Sequence, residues 1–129
     1  MAKLKVGLVS PEREVWAGEA DHVIAQTIVG SMGVLPGHAP VLGVLVDGSV
    51  VRIKPADDGD WVSAVVGSGF FSVAGDEVSV LAEHAELGSD VNVAEAQEAL
   101  SQALSSDGDD AAVAERRARA RLRAAGVEA

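Results

Sequence analysis

A chain of 129 residues with 20 acidic side chains, 10 lysines and arginines and no cysteine has room for one ordinary domain, or a small domain with an appendage. The missing cysteines exclude disulfides and thiolate metal sites, and a net charge of −10 argues against nucleic acid as the main partner, because that recognition starts from a basic surface. A hydrophobic share of 48% is that of a globular protein, while 3% aromatics leave little material for base-stacking platforms or aromatic cages.

At the N-terminus, Lys3 and Lys5 border an apolar run at 6–9 that stops at Ser10, Pro11 and Glu12, too short for a signal-peptide core. The longest uncharged apolar stretch, residues 39–46, falls well below the roughly 20 residues of a spanning helix. The expectation is a chain that stays in the compartment where it is made, without direct membrane insertion.

Residues 1–87 read as short β-type runs divided by turns. Residues 4–9 alternate loosely, and 14–17 form a second run that ends at Gly18. Val23, Ile24, Thr27, Ile28 and Val29 make 21–29 rich in β-branched side chains. Residues 41–46 are apolar throughout, the pattern of a strand buried on both faces. Further runs occupy 49–53, closed by Pro55, then 61–66, 70–73 and 78–81. Asp47 with Gly48, Asp58 with Gly59, and Gly75 with Asp76 are turn pairs between them. Short strands at this spacing predict an all-β sandwich or barrel.

Residues 30–40, GSMGVLPGHAP, interrupt this series. Two prolines four apart forbid a helix or a central strand across the segment, which places Met32, Val34 and Leu35 in or near an irregular loop. Composition leaves two readings equally open, a tucked corner of the sandwich or an apolar contact surface at its end.

The chain changes character near residue 88. Asn92 followed by Glu95 looks like a capping box, and Val93, Ala96, Leu100 and Ala103 fall at helical spacing behind it. Residues 105–110, SSDGDD, break the pattern and supply the cap of a second helix. Ala111, Ala114, Ala118, Leu122 and Ala125 make its single apolar stripe, and Gly126 is a natural stop. Asp109 and Asp110 precede it, and Arg121 and Arg123 close it, as the helix dipole prefers. The reading is an antiparallel helical hairpin over 88–129, marginal alone and bound to dock on something else. Residues 1–87 carry 12 acidic and 5 basic side chains, and residues 88–129 carry 8 and 5. The five basic residues of the hairpin are Arg116, Arg117, Arg119, Arg121 and Arg123.

Catalytic chemistry is thin. His22, His38 and His84 are too widely spaced for local structure to bring two together. Ser68 lacks the first glycine of a nucleophile elbow. Asp57, Asp58 and Asp60 around Gly59 read as a solvated hairpin tip, and Asp107, Asp109 and Asp110 have their glycine in the wrong place for a calcium loop.

The run GSMGVLPGHAPVLGVL is similar to the segment typical of the ε subunit of F-type ATP synthases, the δ subunit of the mitochondrial enzyme. Gly69 and Phe70, then Val78, Val80, Leu81, Ala82, Glu83, Ala85 and Glu86, resemble a second stretch of that family, and RARLRAAG its last helix. The resemblance implies a sandwich of about ten strands followed by a two-helix hairpin. It implies a noncatalytic rotor subunit without cofactor or metal, on the cytoplasmic face of the bacterial plasma membrane. Its partners would be the γ subunit, the ring of c subunits and, when the hairpin extends to restrain ATP hydrolysis, the catalytic α/β subunits. Ser31, Met32, Gly33, Leu35, Pro36, Gly37, His38 and Pro40 become candidates for contact with the ring or γ, with Gly33 and Gly37 allowing turns. The family often has Glu at the position of Ser31.

Some family members bind ATP through an I-D-x-x-R-A motif. Here Asn92 replaces its Asp and Glu95 its Arg, so nucleotide binding is not expected. On a helical wheel Arg116, Arg119 and Arg123 form one stripe and Arg117 and Arg121 another, both outside the apolar face. They are expected to point outward, toward an acidic segment that the resemblance implies on the catalytic subunits. The competing reading is a free ligand- or metal-binding sandwich with an accessory helical pair.

Overall fold

The computed structural model describes residues 2–57 and 59–128. Nine strands precede two helices: β1 (Leu4–Val9), β2 (Glu14–Thr27), β3 (Gly30–Val34), β4 (Val41–Val44), β5 (Ser49–Pro55), β6 (Val62–Val66), β7 (Gly69–Ala74), β8 (Glu77–Ala82), β9 (Ala85–Leu87), α1 (Val93–Leu104) and α2 (Asp109–Ala124). The expected sandwich is present, with nine described strands where about ten were expected. Asp58, expected at the tip between β5 and β6, lies outside the described residues.

The strand order is β4-β7-β8-β1-β2-β5-β6-β9, with β3 added to β2. β2 joins the two parts. It runs 14 residues without stopping at Gly18, contrary to the sequence reading. Its first half pairs with β1. Its second half pairs with β3 and β5 on opposite edges, since Val23 faces both Val34 and Ile53. β1 and β8 run parallel, and the other pairings are antiparallel.

Period-two alternation builds the core. In β1, Leu4, Val6 and Leu8 turn inward, and in β8 Val78, Val80 and Ala82 do the same. Phe71 and Ile53 are fully buried among them. The β7–β8 turn places both Gly75 and Asp76 at positive φ, the geometry of a tight hairpin whose twist matches its strands.

Two sequence readings fail at the same corner. Residues 41–46 are not a strand buried on both faces: β4 spans Val41–Val44 at one end of the strand order, with Leu42 71% exposed. Met32 and Val34 belong to β3, and Val34 is fully buried in the core. Neither proline lies inside β3, so nothing forbids that strand from pairing with β2.

The helices largely follow the expected pattern. Asn92 caps α1, its Oδ1 accepting a hydrogen bond from the Glu95 backbone N–H at 3.0 Å. α2 begins after Gly108, at φ 101, and no side chain caps it, although a cap was expected from the SSDGDD segment. Its C-terminus closes through Gly126, at φ 88. The Gly126 N–H donates to the Arg123 carbonyl at 3.0 Å and the Val127 N–H to Leu122 at 2.8 Å, the paired bonds of a Schellman stop.

α2 carries more buried surface than its expected stripe. Ala118 and Leu122 are buried as expected, whereas Ala114 is exposed. Ala120 and Ala124, outside the stripe, are buried against Val65 and Val50 of the sandwich. α2 therefore lies between α1 and the strands β5 and β6.

Candidate functional site

Three surface regions remain once the core is assigned.

The first is the segment 30–40. Its candidate residues do not form one cluster. Ser31, Met32 and Gly33 lie on β3, whereas Leu35, Pro36, Gly37, His38 and Pro40 lie beyond its far end. Only Val34 stands between Gly33 and Leu35, but the first group lies along a paired strand and the second in the irregular segment after it. Leu35, Pro36, Gly37 and His38 form a turn in which the His38 N–H donates to the Leu35 carbonyl at 3.1 Å. Gly37, at φ 88, takes the position that favours glycine in such a turn. The Gly37 N–H also donates to Asp76 Oδ1 at 2.7 Å, which ties the turn to the β7–β8 hairpin. Gly33 has no turn to make. It gives room to His22, whose Nε2 would lie 3.3 Å from a Cβ there.

At the other end of β3, Ile28 and Val29 form the exposed tip of the β2–β3 hairpin, 69% and 86% exposed. The Ile28 N–H donates to the Val44 carbonyl at 2.9 Å, so the tip abuts β4. The sequence reading placed these residues in a strand because β-branching marks strands and apolar turns alike.

The second region is the outer face of β4, β7 and β8. Val44 pairs with Phe70, Phe70 with Leu81, and Leu81 with Val9. Val44, Phe70 and Leu81 are all exposed, and they border a groove of ≈ 520 Å³. A contiguous apolar row across neighbouring strands differs from scattered surface hydrophobics and marks a contact surface.

The third region lies where α2 meets the sandwich. The expected outward display of arginines is corrected here: Arg116, Arg117 and Arg121 face the sandwich. Arg116 Nε donates to the Asp47 carbonyl oxygen at 2.9 Å. Arg117 binds both Asp47 carboxylate oxygens, at 3.3 and 2.9 Å. Arg121 reaches Glu86 at 2.9 Å and Glu95 at 3.2 Å. The hydrogen bond to Asp47 holds the Arg117 pKa above its ordinary value, and that to Glu86 does the same for Arg121 against an opposing desolvation. Both guanidiniums therefore stay charged at any working pH. Arg119 is satisfied within its own helix by Glu115 at 3.0 Å, and Arg123 is exposed. A cavity of ≈ 370 Å³ beside these pairs is lined by Asp47, His84, Glu86, Arg117 and Arg121.

The remaining polar candidates do not converge. His22 packs edge-on against Trp61 with ring centroids 5.3 Å apart, and Arg52 stands 4.8 Å from the Trp61 ring centre. His38 Nδ1 is 2.7 Å from the Ala39 carbonyl oxygen. Among the described residues no group of three or more His, Asp and Glu is placed to hold a metal. No described helix is long and apolar enough to cross a membrane.

Together these features define a β-sandwich with a docked helical hairpin, whose distinctive surfaces are an apolar strand face and an arginine-lined seam. Residues 3–88 match the family described as ATP synthase, Delta/Epsilon chain, beta-sandwich domain. The ATP synthase epsilon chain of Thermobifida fusca (strain YX) is 51% identical, covering 98% of this chain and 94% of that one. That of Streptomyces coelicolor is 52% identical over 96% of each. The fold is also that of a chain in the Euglena gracilis mitochondrial ATP synthase (OSCP/F1/c-ring in rotational state 1), with TM-score 0.82 and 19% identity over 97% of this chain and 82% of that one. The chain belongs to the ATP synthase epsilon-chain family.

Proposed function

We propose that the protein is a noncatalytic rotor subunit of a proton-translocating ATP synthase at the cytoplasmic face of a bacterial plasma membrane. It couples rotation of the c ring and γ to ATP synthesis and restrains ATP hydrolysis through its hairpin. The observation that carries this reading is that about half of all residues match epsilon chains across the sandwich and hairpin together. The sandwich, residues 1–87, is the anchoring unit, and residues 88–129 are the regulatory one.

The surfaces divide the partners. The row of Val44, Phe70 and Leu81 meets γ, and the turn of Leu35, Pro36, Gly37, His38 and Pro40, tied to the β7–β8 hairpin at the other end of those strands, makes a separate contact with γ. The apolar tip of Ile28 and Val29, continued by Ser31, Met32 and Gly33, faces the ring. When the hairpin extends, Arg116 and Arg117 leave Asp47 and, with the already exposed Arg123, are available to carboxylates of the catalytic subunits, while Arg119 and Arg121 carry Glu115 and Glu95 with them. Phe70 is half exposed, so replacing it leaves the core intact. Phe70→Asp and Leu81→Asp are expected to abolish capture of γ while leaving the melting temperature of the isolated subunit within a few degrees of wild type. Ile28→Asp is expected to preserve capture of γ and weaken retention on the c ring. Normal γ capture by both row variants would contradict this assignment.

A further inference from the structure

The seam between hairpin and sandwich is ionic more than apolar. Its buried apolar contact consists of Val65, Ala120 and Ala124, with Val50 packed against them. Two alanines contribute little area. By contrast, three arginines cross or border it, and they do not share one fate when the hairpin leaves. Asp47 and Glu86 belong to the sandwich, so the bonds of Arg116 and Arg117 to Asp47 and of Arg121 to Glu86 must break. Glu95 belongs to α1, so its pair with Arg121 at 3.2 Å lies within the hairpin and travels with it.

We infer that Arg121 is a shared latch, held by Glu86 when the hairpin is docked and retained by Glu95 when it is released. This rests on the reading in which the hairpin leaves the sandwich. Glu95 neutralises the guanidinium in both states, which spares the released helix an unpaired charge. In the docked state it accepts from Nη1 of a guanidinium whose Nε and Nη2 donate to Glu86, which brings a second carboxylate near the first. The two glutamates that touch Arg121 therefore act with opposite sign. Glu86 favours docking and Glu95 favours release. A purely structural role would give both the same sign, because each is a partner of Arg121 in the docked structure. Glu95 also stands in the first turn of α1, but its interaction with that helix dipole is common to both states and cancels.

The absence of cysteine allows a dye pair to be placed cleanly. Ser79→Cys on the sandwich and Ser106→Cys in the interhelix loop would report the docked-to-released ratio of the full chain by energy transfer. An Asp47→Asn background weakens the second ionic point and brings the ratio into measurable range. There, Glu86→Gln is expected to lower the ratio and Glu95→Gln to raise it, each by about two- to five-fold, the range of partly exposed pairs. Rising sodium chloride is expected to lower the ratio, less steeply in Glu86→Gln. Shifts of the same sign, or a shift in only one variant, would overturn the shared latch while leaving a mobile hairpin standing. A signal that neither salt nor either variant moves would overturn both.

Discussion

Two glycines show how local space decides what a residue can be. A Cβ at Gly69 would lie 1.9 Å from the Leu81 carbonyl oxygen and 2.7 Å from the Ala82 Cα, so the backbones of β7 and β8 would have to part. At Gly7, in β1, nothing lies within 4 Å. Gly69→Ala is expected to destabilise the sandwich by about 1–3 kcal/mol, the cost of forced overpacking. Gly7→Ala is expected to stabilise it by about 0.4–1 kcal/mol by restricting the unfolded chain. Urea unfolding of both variants checks the pair, and equal midpoints would refute it. At this scale the sequence was uneven. Asn92 was legible as a cap because its acceptor and the donor it needs are three residues apart. Asp47 and Glu86 were not, because their arginines lie 70 and 35 residues away and no local pattern joins them. Glu95 was legible as a first-turn residue, but its carboxylate has gone to Arg121, so the expected capping box is made from one side.

Among the elements, α2 explains why one stripe was seen where two exist. A helix packed on a single neighbour shows one apolar face. α2 packs on α1 and on the sandwich, and its second face is built from Ala120, Ala124 and the stems and heads of arginines. Arginine counts as polar in a pattern search although its long stem can lie along a surface. The apolar run at 41–46 misled for the converse reason. A strand with an apolar but exposed outer face reads like one buried on both sides, and only the exposure of Leu42 and Val44 separates the two. Element-scale stability is testable at α1, a helix of 12 residues with little intrinsic persistence alone. Asn92→Ala should cost about 0.5–2 kcal/mol of helix stability. Hydrogen exchange should then accelerate in α1 while β1 and β8 keep their protection. Unchanged exchange in α1 would show that packing against α2 alone holds the helix.

At the scale of the whole molecule, the sandwich and the hairpin meet through close approach as well as charge. A Cβ at Gly88 would stand 1.9 Å from the Ala124 carbonyl oxygen, and one at Gly48 would stand 3.2 Å from the Arg117 backbone nitrogen. The seat of α2 thus depends on two residues without side chains at either end of the seam. The change of pattern near residue 88 was legible because helical spacing replaces alternation there. The seat itself was not, since a glycine that admits a neighbouring helix reads like any turn glycine. In the proposed function this hairpin restrains hydrolysis from a position that is not the docked one. The most direct measurement is the ATP hydrolysis rate of the assembled enzyme carrying a subunit that lacks residues 88–129, compared with the full-length subunit. A hairpin that restrains hydrolysis predicts a faster rate with the truncated subunit present in normal amount; an unchanged rate, with its presence shown, would overturn that role.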